Sequence, residues 1–385
     1  MSVLVLIPHW PGASEVWLRR MIDAIEGDVC AIATFSPPRK DWNGRVPVVD
    51  LMPGAARFAA KAKIKWLPGI GNGALRRILN EFNVTSVFCH YMNFAVAFSD
   101  VWKSVDVPLY IHCHGYDVTW DLRIAAFPMF RRFRPGYKGR ALELAERSHV
   151  VVNSSMAKSR LVADGFSEKG ITVKYIGVPV PREPRTPENT SAELNVLFLG
   201  RLVDCKGPGL TISAFDQACR LGLNAKLIIA GDGPMYSECL KLKNASPFGE
   251  QIALLGAVDA WTGEALRNSA DVFTAHNCFG PASKQVESYG VSVVEAMAAS
   301  LPVITGRSGG VCETVVDGET GILFDSFDIK AHAAALTLMA SDPNLRHRLG
   351  EAGWRRARDK FSIEQETSQL REILGLDHAA EAGRG

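Results

Sequence analysis

The sequence predicts an α/β protein built from two Rossmann-like, doubly wound domains. Short runs rich in Val, Ile and Leu alternate with longer segments whose apolar residues have helical spacing. A proline-rich stretch interrupts this alternation near the middle of the chain, and the alternation restarts after it. The 385 residues are 47% hydrophobic and 22% charged, which is enough for two cores of average size.

The first half contains five apolar runs that are expected to be buried parallel strands. They lie at residues 3–7, 31–35, 86–89, 109–113 and 149–152. Helical spacing is seen between some of them, at 16–25, 74–82 and 138–146. Alternation of strand and helix is typical of a doubly wound parallel sheet, so residues 1–180 are predicted to form the first domain.

Residues 178–191 contain four prolines within ten positions, which neither a helix nor a central strand accommodates. We therefore predict a linker at 181–193 and a second domain at 194–362. The strands predicted for this domain lie at 195–199, 226–230, 253–255, 272–275, 302–305 and 321–324, and two long helices follow at 329–341 and 345–361.

Composition narrows the class of protein. The eight cysteines are scattered and none has C-x-x-C spacing, which suits reduced thiols in a cytoplasmic enzyme. Since no run of 18 apolar residues occurs, no transmembrane helix is predicted. The apolar start lacks a basic leader and ends at Pro8, so a buried first strand is favoured over a signal peptide.

The segment from Glu287 to Glu295 has the most informative pattern. A loop at 288–290 that opens a helix at Val291 would direct free backbone N–H groups outward, toward an anion such as a diphosphate. Glu295, about one turn into the helix, would accept bonds from ribose hydroxyls, and Glu287 would face a sugar ring. The alternative is a surface helix with two incidental glutamates.

Glycine-rich loops follow other strands of the second half. Gly200-Arg201 and Lys206-Gly207 offer a guanidinium and an ammonium of the kind found around pyrophosphate oxygens, or else a turn with solvated charges. The string Gly231-Asp232-Gly233-Pro234 is a good turn anywhere in a protein. The pair Gly309-Gly310 suits close packing or the approach of a ligand.

Two histidines and a cysteine end a strand of the first half. His112 and His114 share one face of the strand and Cys113 lies on the other, and the spacing reveals no third metal ligand. We therefore expect His114 and Asp117 to form a polar pair that faces a sugar, and we expect no metal. His276, at the end of a second-half strand, is either a ligand contact or a histidine with a satisfied hydrogen bond.

Taken in order, the motifs His-Gly-Tyr-Asp, Gly-Arg-Leu…Lys-Gly, Gly-Asp-Gly-Pro, Glu-x7-Glu and Gly-Gly-x-x-Glu resemble the family 4, or group 1, retaining glycosyltransferases of GT-B fold. The resemblance covers nearly the whole chain and is most specific over 199–325. It implies two Rossmann-like domains facing a cleft. It also implies that a final helix, near 363–376, packs back on the first domain.

The resemblance implies a role for each matching residue. Arg201 and Lys206 would hold the donor diphosphate, Glu295 the ribose and Glu287 the donor sugar, which His114 would also contact. The other residues implied in donor binding are Gly12, Asp117, Gly200, Asp232, Val258, Tyr289, Gly290 and Val291. Asp117 would support its own loop, and the backbone near Val258 would recognise the base. The first loop, at 11–15, departs from the usual Gly-Gly pair and resembles a Ser-Glu variant of exopolysaccharide and colanic-acid-type transferases.

The implied activity is metal-independent transfer of a sugar from a UDP- or GDP-sugar to a glycan or polyprenyl-diphosphate-linked acceptor, in bacterial surface polysaccharide synthesis. No cofactor is expected, and the protein would be cytoplasmic or peripheral on the inner membrane face. Three alternatives share the scaffold: a sugar-nucleotide 2-epimerase, a glycogen-type phosphorylase, and a non-catalytic sensor of sugar nucleotides.

The charge is unevenly distributed along the chain. Residues 1–178 hold 23 Lys and Arg against 15 Asp and Glu, whereas the remainder holds 20 against 26. Basic residues are interleaved with aromatic ones at 57–66 and 127–134, a pattern typical of contact with an anionic membrane surface. The alternative is a solvated basic face over aromatic core residues. The sequence has no nucleic-acid-binding motif, and no such partner is expected.

Overall fold

The structure is a computed structural model that describes residues 1–12, 15–35, 40–52, 69, 71–120, 136–185 and 193–377. The chain divides into two compact units. The first comprises Met1–Tyr175 together with Glu366–Gly385, and the second comprises Ile176–Gln365.

The first unit is organised around an eight-stranded sheet of order β3-β4-β2-β1-β5-β6-β7-β8. All neighbours are parallel except β3 and β4, which are antiparallel. The strands are β1 (Val3–Leu6), β2 (Val29–Thr34), β3 (Asp41–Trp42), β4 (Val46–Asp50), β5 (Ser86–His90), β6 (Leu109–Cys113), β7 (His149–Val152) and β8 (Ile171–Val173). Its described helices are α1 (Val16–Asp23), α2 (Asn72–Glu81), α3 (Met92–Ala97), α4 (Ser99–Trp102), α5 (Tyr137–Ala145) and α6 (Ser155–Ala163), with a π-helical turn at Tyr116–Trp120.

Side chains on both faces of this sheet are buried. Leu4 and Leu6 of β1 belong to one apolar cluster, and Val3 and Val5 belong to the other. Successive strand residues point to opposite faces, so a strand covered on both sides must be apolar throughout. This is why the central strands appear in the sequence as continuous apolar runs.

The second unit contains a six-stranded, fully parallel sheet of order β11-β10-β9-β12-β13-β14. The strands are β9 (Leu194–Leu199), β10 (Ala225–Ala230), β11 (Ile252–Gly256), β12 (Val272–Ala275), β13 (Val303–Gly306) and β14 (Gly321–Phe324). Its helices are α7 (Pro208–Arg220), α8 (Tyr236–Ala245), α9 (Ala260–Ser269), α10 (Val291–Ala298), α11 (Val311–Thr314), α12 (Ile329–Ser341) and α13 (Pro343–Lys360).

The last helix, α14 (Ile363–Leu374), follows a break after α13. Leu370 and Leu374 of α14 lie in a core cluster of the first unit, together with Leu376. Glu366 forms an ion pair with Lys174 at 2.5 Å, and both side chains are buried. Helix α14 thereby contributes to the first unit's core.

The predicted doubly wound architecture is confirmed for both sheets. Every run predicted as a strand is one, with ends that differ by at most two residues. The prediction missed β3, β4 and β8, which lie near the edges of the first sheet. These strands are short, and β3 and β4 contain exposed or polar positions, so their apolar signal is weak.

Within the described residues, no helix is both long enough and apolar enough to span a bilayer. The cysteines are all free thiols.

Candidate active site

Loops that follow the second unit's strands pack backbone against backbone. The Gly231 backbone has a φ of +149° and lies so close to the loop after β9 that an added Cβ would stand 1.8 Å from the carbonyl oxygen of Gly200. The Leu202 N–H donates to the carbonyl of Asp232 at 2.9 Å. The two glycine motifs are therefore parts of one surface at the carboxyl ends of β9 and β10.

Lys206 and Glu287 form an ion pair beside this surface. The Lys206 Nζ lies 2.5 Å from Glu287 Oε2, and the side chains are only 14% and 15% exposed. Burial raises the pKa of the Glu287 carboxyl, but the Lys206 ammonium, the Tyr289 N–H and the charge of Arg201 together outweigh it, and the pKa lies below its ordinary value. Arg201 is exposed.

Helix α10 begins as the sequence predicted, at Val291. Its N-cap is Gly290, whose left-handed backbone (φ 88°, ψ 57°) provides no side chain to bond the first amides. The Gly290 N–H donates to Glu287 Oε1 at 3.1 Å, which sets the carboxylate across the helix N-terminus. An added Cβ on Gly310 would stand 1.9 Å from the carbonyl oxygen of Ser288, so glycine is required there for this loop to pack.

Glu295 lies about one turn into α10 and is paired with a residue that sequence reasoning missed. Arg267 Nη1 of α9 lies 3.2 Å from Glu295 Oε2, and both side chains are mostly buried. Each motif glutamate thus has its own cationic partner. A basic residue near the end of the helix before β12 was the only signal in the sequence, and it did not identify the pairing.

Asp204 is a second residue whose part sequence reasoning did not assign. Its Oδ2 accepts the backbone N–H groups of Ala282 and Ser283, each at 2.8 Å, and its Oδ1 accepts that of Cys205 at 2.9 Å. Asp204 therefore ties the loop that contains Lys206 to the loop that precedes Glu287.

The remaining predicted residues of the second unit follow the carboxyl ends of its strands. Asp232 is exposed after β10, and Val258 is half-buried after β11. Tyr289 is buried, and its hydroxyl donates to the carbonyl oxygen of Ile176 at 2.9 Å, so only its backbone is available to a ligand. Their assigned roles remain predictions.

Of the two interpretations of His276, ligand contact or satisfied hydrogen bond, the structure supports the second. His276 is fully buried, and its Nε2 accepts the backbone N–H of Phe327 at 3.1 Å. Its Nδ1 must therefore carry the proton and donate to Nδ1 of His332 at 3.0 Å, while Nε2 of His332 donates to the Thr274 hydroxyl at 2.6 Å. A further proton on either ring would place two N–H donors face to face, at the His276–His332 contact or at the Phe327 N–H.

The His276–His332 pair predicts that the free energy of unfolding falls in acid. Burial lowers the pKa of His276 from 6.5 to about 4, against a smaller opposing effect of Asp328. Because the pKa is lowered in the folded state, the stabilisation is present above pH 6.5 and declines toward pH 4. We expect the free energy of unfolding to fall by about 2 kcal/mol between pH 7 and pH 5 through His276. Denaturant titrations of wild type and His276→Gln measure it, and parallel pH profiles in the two proteins would contradict it.

In the first unit, Glu15 in the loop after β1 is the centre of a small hydrogen-bonded cluster. Its carboxylate accepts the Gly12 N–H at 3.0 Å and the Tyr91 hydroxyl at 2.9 Å, and it pairs with His9 at 3.0 Å. Burial raises the pKa of Glu15, but the bonds from His9, Gly12 and Tyr91 leave it below the ordinary value. Gly12 therefore lies at the carboxyl edge of the sheet, next to a fixed negative charge.

Asp117 does not face outward as the predicted polar pair requires. It is buried, and its carboxylate accepts backbone N–H groups of Met92, His114 and Gly115 at 2.9–3.0 Å. Burial raises the pKa of Asp117, and these bonds oppose that rise only in part. The side chain holds the loop that positions His114, which is the supporting role that the family resemblance implies.

His114 is half-buried at the carboxyl edge of the first sheet, and its ring centroid lies 4.5 Å from that of Trp17. The spacing revealed no third ligand beside His112 and His114, and the structure places a third histidine next to them. His90, at the end of the neighbouring strand β5, lies with its Nδ1 3.0 Å from Nε2 of His114. No local pattern indicates this neighbour, because parallel strands are joined by long crossover connections.

The basic aromatic segments at 57–66 and 127–134 lie outside the described residues.

Comparison with known proteins agrees with this geometry. Residues 182–356 match the family model for glycosyl transferases group 1. The GDP-mannose-dependent alpha-(1-6)-phosphatidylinositol monomannoside mannosyltransferase of Mycobacterium tuberculosis is 28% identical over 99% of this chain and 100% of the relative. The protein of that name from Mycolicibacterium smegmatis is 32% identical over 46% of this chain and 47% of the relative. Anabaena HepE in complex with UDP-glucose has a TM-score of 0.76 at 18% identity, covering 97% of this chain and 99% of that one.

The two doubly wound sheets and the structural likeness to Anabaena HepE show a GT-B fold. The resemblance to the group 1 glycosyltransferases that the ordered motifs predicted is confirmed, and residues 182–356 are the part that matches the family model.

Proposed function

We propose that the chain transfers a sugar from a nucleoside-diphosphate sugar to a hydroxyl of a glycan or lipid-linked acceptor, with retention of the anomeric configuration. The observation that carries the proposal is the Lys206–Glu287 pair set across the uncapped N-terminus of α10. It combines a mobile cation, a sugar-binding carboxylate and oriented amides within one small surface. Those are the groups that a diphosphate bonded to a sugar requires.

The leaving diphosphate gains negative charge as the bond between the anomeric carbon and its phosphate oxygen breaks. Arg201, Lys206 and the positive end of the α10 dipole would stabilise that charge. The acceptor oxygen bonds to the anomeric carbon on the face that the phosphate leaves, and its proton passes to the departing phosphate oxygen. No divalent cation is then required at the diphosphate, and no protein side chain is assigned as the base.

Lys206 would change partners when the donor binds. In this structure its ammonium is neutralised by Glu287. A diphosphate within reach of Lys206 would compete for the ammonium and release one carboxylate oxygen of Glu287 toward the sugar hydroxyls. Arg267 would hold Glu295 in its present orientation, where the carboxylate meets the ribose.

The similar proteins include both binders of guanine and binders of uracil nucleotides, so we propose either base for the donor. The mycobacterial relatives are named GDP-mannose-dependent, whereas Anabaena HepE was crystallised with UDP-glucose. The acceptor of this chain is proposed as a glycan or a polyprenyl-diphosphate-linked glycan, held near an anionic membrane surface by the basic first half. Co-sedimentation with anionic vesicles that declines as salt rises would support that surface contact.

We expect UDP or GDP to raise the thermal unfolding temperature of the purified chain, and ADP to serve as the comparison. A ligand that binds only the folded state contributes about 2.7 kcal/mol at a concentration 100 times its Kd. The Arg201→Ala/Lys206→Ala double variant should lose this response. Its own unfolding temperature without nucleotide, lowered by the loss of the Lys206–Glu287 pair, is the reference for that comparison. If no nucleotide stabilises the wild type, the proposed donor site is wrong.

Incubation with sugar nucleotides in the absence of any acceptor separates transfer from epimerisation. The donor sugar should keep its configuration at every carbon, apart from slow hydrolysis. Appearance of an epimerised donor would favour the 2-epimerase alternative instead.

A further inference from the structure

Three imidazoles converge at the carboxyl ends of β5 and β6 in the first unit. His90 ends β5 and is paired in register with His112 of β6, and His114 follows that strand directly. One ring nitrogen from each histidine can be chosen so that all three atoms lie within 4.8 Å of one another. The described part of the chain contains no other such cluster of three potential ligands.

Several of these ring nitrogens are buried without a hydrogen-bond partner among the described residues. His90 and His112 are fully buried. The unpartnered atoms are Nε2 of His90, both ring nitrogens of His112 and Nδ1 of His114. A buried polar atom without a partner is costly, and His112, with neither ring nitrogen bonded, is the histidine of the cluster that most clearly calls for a ligand.

We propose that the cluster of His90, His112 and His114 binds a divalent transition-metal ion, with Zn²⁺ as the best match. Imidazole nitrogens are among the preferred ligands of Zn²⁺, and three of them leave a fourth tetrahedral position open. His114 is only half-buried, so that position has a side toward solvent for a water molecule or another ligand.

The distances suit this ion. Two ligands of a tetrahedral zinc with bonds of about 2.0–2.1 Å stand roughly 3.3 Å apart. His90 Nδ1 and His114 Nε2 are 3.0 Å apart, so a small displacement of either ring would accommodate the metal. The ring centroid of His112 lies 4.2 Å from that of His114 and 5.6 Å from that of His90. His112 is therefore close enough to supply the third nitrogen.

The protonation state also suits a metal rather than an anion. Burial lowers the pKa of His90 to about 3 and lowers the pKa of His112 and of His114 well below the ordinary value. All three rings are therefore neutral near pH 7, and the neutral ring is the form that coordinates a metal. The nearby Lys174 ammonium is paired with Glu366 at 2.5 Å, which offsets its repulsion of a cation.

Metal binding would join the ends of two central strands and fix the ring of His114 against Trp17. It involves none of the second-unit residues of the proposed donor site, and His114 is the only member of the cluster that the family resemblance also places against the donor sugar. A nucleotide-free binding measurement therefore tests it independently, and failure of one proposal leaves the other standing.

The test is a titration of chelator-treated, full-length protein with Zn²⁺, in competition with a chromophoric chelator, and with Co²⁺ as a spectroscopic probe. Wild type should take up one equivalent of Zn²⁺, and Co²⁺ should develop the visible absorption of a tetrahedral nitrogen site. His90→Asn and His112→Asn should each weaken binding by more than the roughly 10–100-fold that loss of a second-shell partner costs. His347→Asn, an exposed histidine of α13, is the matched control and should bind as wild type does.

Thermal unfolding keeps the test decisive where a variant is less stable. Zn²⁺ should raise the unfolding temperature of wild type and of His347→Asn, but not that of folded His90→Asn or His112→Asn. Two results would overturn the proposal. One is the absence of uptake by wild type at micromolar Zn²⁺, which would leave a hydrogen-bonded pair of imidazoles only. The other is uptake that both cluster variants retain.

Discussion

Replacing Lys206 with alanine should lower kcat/KM for sugar transfer by an amount equivalent to about 2–4 kcal/mol of transition-state stabilisation, the range for one electrostatic contact in a closed site. The Lys206 ammonium is mostly buried, and it is held within 2.5 Å of Glu287 at the N-terminus of α10. Its charge therefore acts on a departing diphosphate with little screening by water. The measurement is steady-state kinetics with the donor that the nucleotide screen identifies.

Lys226→Ala is the matched control for this change. Lys226 also forms an ion pair at 2.5 Å, with Glu193, but its side chain is 57% exposed and lies in strand β10, away from the site loops. Its loss should leave kcat/KM within the error of the measurement. Lys206→Arg tests whether a positive charge suffices or an ammonium is required. Wild-type turnover by a folded Lys206→Ala protein would remove Lys206 from the mechanism.

Replacing Lys174 with methionine should lower the free energy of unfolding by about 3–5 kcal/mol, the usual cost of breaking a buried ion pair from one side. Lys174 follows β8 and Glu366 lies in α14, so this pair connects segments 192 positions apart. Both side chains are almost wholly buried, at 0% and 4% exposure. The single change leaves the Glu366 carboxylate without its counter-charge in an apolar surrounding. Denaturant unfolding followed by tryptophan fluorescence measures the loss.

The double variant Lys174→Met/Glu366→Leu provides the comparison. Removing both charges takes away the attraction and the desolvation cost together, and such replacements are often neutral or stabilising. The double variant should therefore be clearly more stable than Lys174→Met. If the two variants are equally unstable, the ion pair contributes nothing beyond the packing of its side chains.

Local sequence patterns were sufficient for the five interior strands of the first sheet, for all six strands of the second sheet and for the start of helix α10. Central parallel strands are buried on both faces, so their apolar runs are continuous and easily recognised. The helix start at Val291 was predicted directly after the loop at 288–290, and the structure has Gly290 there as a left-handed N-cap. The predicted link between Glu287 and the basic motif came from the order of the family's motifs, and the structure brings Lys206 to it.

What only the tertiary structure decided is which side chains meet across distant segments. Arg267 with Glu295, Lys174 with Glu366, and His90 with His112 and His114 are each brought together by the packing of separate elements. A sequence motif records neighbours along the chain, whereas parallel strands meet only after a crossover connection whose length does not reveal the partner. The sequence by itself therefore determined the class of fold and the family resemblance that its ordered motifs indicate. The tertiary structure determined the partner of each charge and the convergence of the three histidines, because both depend on register and packing between elements.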